Sequence, residues 1–158
     1  MPAARWLDEN ESRAWRGLQL MQLQLSAALS RDLAAESSLS YRDFIVLVAL
    51  TDQPDGRMRA FELGRVLGWE KSRLSHHISR MEERGLVERV KCSSDRRGAH
   101  IGVTELGRKA IKAAAPGHVE GVRRRFIDFL TPNEIETLTK ISDKVLDGLQ
   151  QECDAAEA

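Results

Sequence analysis

Cysteine is scarce in this 158-residue chain, and the two present, Cys92 and Cys153, lie far apart with no CxxC spacing. Neither a disulfide scaffold nor a zinc site is expected, and no other metal or cofactor is called for. Aromatic residues make up 5% and there are only four prolines against eleven glycines, which excludes collagen-like and low-complexity chains. No run reaches the roughly 20 apolar residues of a membrane span. The start, Met1-Pro2-Ala3-Ala4-Arg5-Trp6-Leu7-Asp8-Glu9, turns acidic where a secretory leader turns apolar, so a cytoplasmic protein without a membrane partner is expected. Catalytic motifs are missing as well: no GxSxG, HExxH or glycine-rich phosphate loop accompanies His76, His77, His100 or His118. The adjacent His76 and His77 point about 100° apart on a helix and cannot share a metal as an i, i+4 pair does. The chain is therefore not expected to be an enzyme.

Net charge is zero, 24 basic against 24 acidic side chains, but the zero is an average. Residues 1–56 hold 5 basic and 8 acidic groups, 57–112 hold 14 and 7, 113–125 hold 3 and 1, and 126–158 hold 2 and 8. A basic middle between acidic ends suits a polyanion-binding module, because attraction follows the local field and not the total.

What is present reads mainly as helix. Residues 10–33 contain no proline and one glycine, with Trp15, Leu18, Met21, Leu25 and Leu29 at helical spacing. Ser37-Ser38 break this helix, and Ser40 with Asp43 three residues on forms a capping box ahead of the buried run Phe44–Leu50. After the turn Gln53-Pro54-Asp55-Gly56 a short helix carries Phe61, Leu63, Val66 and Leu67, and Gly68 ends it. From Trp69 to Arg84, Leu74, Ile78 and Met81 form one stripe, expected to pack on Phe61, Val66 and Phe44. Ser72, His76, Ser79 and Arg80 lie opposite, Arg73 and Ser75 on the flanks, and His77 nearer the buried side. Leu86–Cys92 and His100–Val103 predict a two-stranded hairpin with the basic tip Asp95-Arg96-Arg97. Thr104 caps a helix that Ala115-Pro116-Gly117 is expected to kink or interrupt before Val119, Val122, Phe126 and Phe129. Thr131-Pro132-Asn133-Glu134 starts a last helix carrying Ile135, Leu138, Ile141, Val145 and Leu149.

The order helix-helix-helix-strand-strand is that of a winged helix-turn-helix, so the expected class is mainly α with a small β-hairpin wing. A B-form major groove admits one α-helix, and a narrow minor groove attracts an inserted arginine. The helix presenting Ser72, Arg73, Ser75, His76 and Arg80 suits the first, and Arg96 or Arg97 the second. Long terminal helices with apolar stripes exceed what the small middle module can cover, which predicts that two copies bury them against each other.

The runs Glu62-Leu63-Gly64-Arg65-Val66-Leu67-Gly68, Arg80-Met81-Glu82-Glu83-Arg84-Gly85-Leu86-Val87, and Asp95-Arg96-Arg97 leading to Val103-Thr104-Glu105-Leu106-Gly107 resemble the MarR family of bacterial winged-helix transcriptional regulators. The resemblance covers nearly the whole chain and implies one domain over 1–158, with a winged helix-turn-helix at 40–105 and dimerisation helices at 10–35 and 118–152. It implies a homodimer on double-stranded DNA at a pseudo-palindromic operator, with repression the role by family analogy. Arg97 takes the position of the family's wing arginine, Asp95 orients it, and Arg96 is its neighbour. It also implies release by a small aromatic or anionic effector between the dimerisation helices and the DNA-binding lobe, with Trp15, Tyr41 and His118 as candidate lining. Relatives that sense oxidants use a cysteine near the N-terminus, where this chain has none; Cys92, beside the wing and close to Lys91 and the arginines, is the alternative. A reading of a different class is a chromosome-structuring protein that binds duplex without regard to sequence through the same helix and wing.

Overall fold

Asp8 opens the first helix, α1 (Glu9–Glu36), with a capping box: its carboxylate accepts the Glu11 N–H at 2.8 Å, and the Glu11 carboxylate accepts the Asp8 N–H at 2.9 Å. This computed structural model describes residues 4–90 and 100–157. They form two compact units, one up to Val119 and one from Glu120 onward. The helix α1 ends where Ser37 turns extended and its hydroxyl donates to the Leu33 carbonyl. Ser40 and Asp43 make the second capping box, at 3.1 and 2.9 Å, and start α2 (Tyr41–Thr51). The apolar run of α2 is the centre of the core, with Val46, Leu47 and Leu50 fully buried.

Beyond the Gln53–Gly56 turn comes a short strand, β1 (Arg57–Arg59), which the sequence pattern does not announce. Three residues with one apolar side chain carry too little alternation to read as a strand. Pairing supplies what pattern cannot: Arg57, Met58 and Arg59 lie opposite Gly102, Ile101 and His100 of β3 (His100–Val103), and Met58 is buried. The expected two-stranded hairpin is therefore the outer part of a three-stranded antiparallel sheet, ordered β1-β3-β2, with β2 at Val87–Val90.

Two helices separate β1 from β2: α3 (Ala60–Leu67) and α4 (Lys71–Glu83). Of the apolar residues expected to support α4, Phe44 is in the core, but Phe61 and Val66 are 59% and 65% exposed. At about 100° per residue, Phe61 and Val66 sit roughly 160° and 60° from the buried Leu63, so an eight-residue helix cannot turn all three inward. Leu74, Ile78 and Met81 instead join Leu63 and the α2 residues, each such burial worth about 1.5–3 kcal/mol.

Gly68 adopts φ +63° at the end of α3, and a Cβ there would meet nothing. Gly107 has ordinary backbone angles, but a Cβ would overlap the Leu86 carbonyl. Gly68→Ala should therefore lose only backbone comfort, about 1–2 kcal/mol in urea unfolding. Gly107→Ala should lose more, and an equal or reversed ranking would contradict the packing.

Thr104 caps α5 (Glu105–Arg125), accepting the Gly107 N–H at 3.0 Å. This helix runs on through Pro116, so of the expected kink or interruption the interruption does not occur. Proline removes only the bond to the Lys112 carbonyl, and Ala114 before it is buried in the core while Gly117 after it admits the Glu36 carboxylate. Residues 127–129 form a single 3₁₀ turn with Phe129 exposed. Thr131 then opens α6 (Pro132–Glu157), and Ile141, Val145, Leu146 and Leu149 of this second unit are exposed.

Candidate nucleic-acid interface

The helix α4 is held on three of its sides. Taking Ser72 as 0° and about 100° per residue, Leu74, Ile78 and Met81 occupy roughly 180–240° and face the core. On one flank, near 120–140°, His77 Nε2 lies 3.1 Å from Asp43 Oδ1, and Arg84 Nη1 donates to Asp43 Oδ2 at 2.8 Å. Arg84 Nη2 also donates to the Ser38 carbonyl at 2.8 Å. On the other flank, near 280–340°, Ser75, Ser79 and Glu82 face Arg89 of β2. The open sector, roughly 0–100°, presents Ser72, His76, Arg80 and Arg73, all exposed.

Asp43 is the one charged or polar side chain fully buried among the described residues, 2% exposed. Burial pushes its carboxyl up, but the hydrogen bonds from His77, Arg84 and Ser40 outweigh that and hold it well below the usual carboxylate range. It is thus an anion shared by the cap of α2 and the side of α4. Trp69 closes the start of α4, with the Arg73 guanidinium 5.1 Å above its ring and the His77 ring edge-on at 5.2 Å.

Four of the five helix residues singled out by sequence therefore share the open sector. Ser75, though exposed, sits on the Arg89 side, where its carbonyl accepts from that guanidinium at 3.2 Å. Ser79 is not a free hydroxyl either, since it accepts from Arg89 at 3.0 Å. Sequence reasoning passed over Arg89 and Glu82. The available signal was a charged residue two positions after Val87, on the same face of the strand, but nothing local links it to α4. Asp95, Arg96, Arg97 and Cys92 lie outside the described residues.

Of the candidate effector residues, Tyr41 and His118 come together, ring centroids 6.1 Å apart, with Phe44 4.3 Å from His118. Burial pushes the His118 imidazole below its ordinary value and so favours its neutral form. Trp15 stays apart: it is 52% exposed and about 20 Å along α1 from Leu29, where that helix enters the core. A groove beside α4 is lined by Ser38, Tyr41, Arg42, Arg80, Arg84 and Leu106, among others. The described residues include no cluster of His, Cys, Asp and Glu that could hold a metal, and no helix long and apolar enough to cross a membrane.

The arrangement has close parallels in known proteins. The sequence profile of the MarR family matches residues 37–98. The crystal structure of AbsC, a MarR family transcriptional regulator from Streptomyces coelicolor, superposes with a TM-score of 0.85 at 38% identity, covering 94% of this chain and 99% of that one. Sco3205 from the same organism, a MarR family regulator crystallised in complex with DNA, gives 0.86 at 35% identity over 95% of this chain and 94% of its own. The transcriptional repressor MprA of Escherichia coli is 27% identical over 108 residues, 68% of this chain, and the match spans 61% of that relative's length. Capped helices, buried α4 stripe, three-stranded sheet and near full-length similarity agree, and the chain belongs to the MarR family of transcriptional regulators.

Proposed function

We propose that the protein is a homodimeric DNA-binding regulator, acting in the cytoplasm as a repressor at a pseudo-palindromic operator and released by a small-molecule effector. One observation carries the DNA-binding reading: α4 is fastened on three sides and turns its remaining sector, Ser72, Arg73, His76 and Arg80, to solvent. A small hydroxyl, an imidazole and two guanidinium groups on a helix of this width suit a major groove, with some contacts to phosphate and others to base edges. The DNA-bound state of Sco3205 supports the same reading. Arg97, with Arg96 beside it and Asp95 orienting it, is proposed to enter the minor groove from the wing.

Residues 10–35 and 118–152 are proposed as the dimerisation region. Exposed apolar side chains on α1, including Trp15, Leu18 and Met21, and on α6, including Ile141, Val145 and Leu149, support it. A two-fold pair sets two α4 helices roughly 34 Å apart, one turn of duplex. For the effector, the groove with Tyr41, Arg42, Arg80 and Arg84 suits a small anion with an apolar body. Titration calorimetry with phenolic acids should find a ligand that lowers DNA affinity, and a panel in which none does so would remove the effector from the proposal.

The deciding experiment is competition between a duplex enriched from a random pool by the protein and a shuffled duplex. A regulator should prefer the first by about 10³ or more. A ratio near one would favour a chromosome-structuring role instead. Within the same assay, Arg97→Ala should weaken binding about tenfold and lower the slope of log affinity against log salt by about one per protomer. Unchanged affinity across the titration would remove the wing arginine from the interface.

A further inference from the structure

We propose that Arg89 and Glu82 are positioning residues for base reading, a bracket between wing strand β2 and α4 that fixes the rotation of α4 about its axis; this rests on the DNA-binding reading above. Four contacts make the bracket. Arg89 Nη2 donates to Ser79 Oγ at 3.0 Å and to the Ser75 carbonyl at 3.2 Å. Its Nε lies 3.4 Å from Glu82 Oε2, and its backbone N–H donates to Glu82 Oε1 at 3.2 Å. One carboxylate thus holds both the main chain and the side chain of the strand residue, and one guanidinium spans two turns of the helix.

The apolar stripe alone does not set rotation sharply, because packing of Leu74, Ile78 and Met81 is non-directional. A rotation of roughly 20° moves atoms about 6 Å from the helix axis by roughly 2 Å, enough to break a hydrogen bond to a base edge. Hydrogen bonds do have direction, and the bracket supplies three, with an ion pair beside them, on the flank opposite Asp43. Arg89 and Glu82 are about 40% exposed, so their pairing adds little to folding stability and its consequence lies in geometry.

Electrostatics and positioning predict opposite signs for Glu82. Removing an anion from a DNA-facing module should raise affinity for any duplex. Positioning instead predicts that Glu82→Gln loses preference for the enriched duplex over the shuffled one by about tenfold, while affinity for the shuffled duplex holds or rises. Ser79→Ala, which changes no charge, should lose about threefold in the same ratio. Arg89→Gln should leave the salt slope of wild type intact, and Arg89→Lys should fail to restore the ratio, because an ammonium cannot span both acceptors. Urea unfolding of each variant separates this loss from misfolding. A Glu82→Gln ratio at or above that of wild type would overturn the inference. So would an Arg89→Gln protein that weakens equally on both duplexes with a slope lower by about 0.9, the signature of a direct phosphate contact. Failure of wild type to enrich any duplex is a different result and would defeat the specific-regulator reading itself.

Discussion

Asp43→Ala should destabilise the protein by about 3–5 kcal/mol, the largest stability effect expected of any single substitution outside the apolar core. The carboxylate is almost wholly buried, and three separate structures lean on it. It completes the capping box of α2 by accepting the Ser40 N–H, takes the Arg84 guanidinium at 2.8 Å, and faces His77 at 3.1 Å. Truncation leaves a cation without its partner and the Ser40 N–H without its acceptor, which costs more than the pair's net worth. Asp43→Asn keeps an acceptor for the cap but not the charge, so a smaller loss of about 1–3 kcal/mol is expected. Urea unfolding at fixed protein concentration measures both.

The pH dependence of that stability has a definite sign. The carboxyl is depressed in the folded chain relative to about 3.9 when unfolded, so its contribution is present in full above the unfolded value. It drains away as pH falls from about 5 through the acid range toward the folded value. The gap in unfolding free energy between wild type and Asp43→Asn should be constant above about pH 5 and close below it. A gap that widens on acidification would mean that folding raises the carboxyl above its unfolded value instead of lowering it.

How much of this was legible in the sequence depends on how far apart the interacting residues stand. Ser40 with Asp43, and Thr131 with Glu134, are three residues apart, and both boxes form where the pattern puts them. The Leu74-Ile78-Met81 stripe is likewise local and is buried as read. The same Asp43 meets residues 34 and 41 positions away, and no periodicity encodes a contact of that separation. The strand β1 is invisible because pairing with β3, some 43 residues on, makes it a strand. Phe61 and Val66 misled because hydrophobicity was read without angle, and on eight residues the angle decides. The wing arginines were named from their motif and fall outside the described residues.

The second large effect expected follows from the proposed dimer, in which each α4 reads one half-site, and is the loss of the partner. Val145→Asp should convert a dimer to a monomer and weaken binding to the enriched duplex by about 10²–10⁴, the advantage of closing a second half-site from an already bound pair. Val145 is 55% exposed on α6, between Ile141 and Leu149 on the same stripe and beside Leu146. Each of these side chains, already about half covered, would gain about 1–1.5 kcal/mol on full burial, and in an isologous interface each is counted twice. A carboxylate at the centre of such a stripe is desolvated in both copies at once, so a single substitution acts as two. Because Val145 faces solvent within its own unit, the isolated fold should keep its helical circular dichroism and its urea midpoint should become independent of concentration. Sedimentation equilibrium gives the mass and a mobility shift gives the affinity. A variant that stays dimeric would move the interface away from α6, whereas one that is monomeric yet binds as tightly as wild type would mean that each reading head works alone.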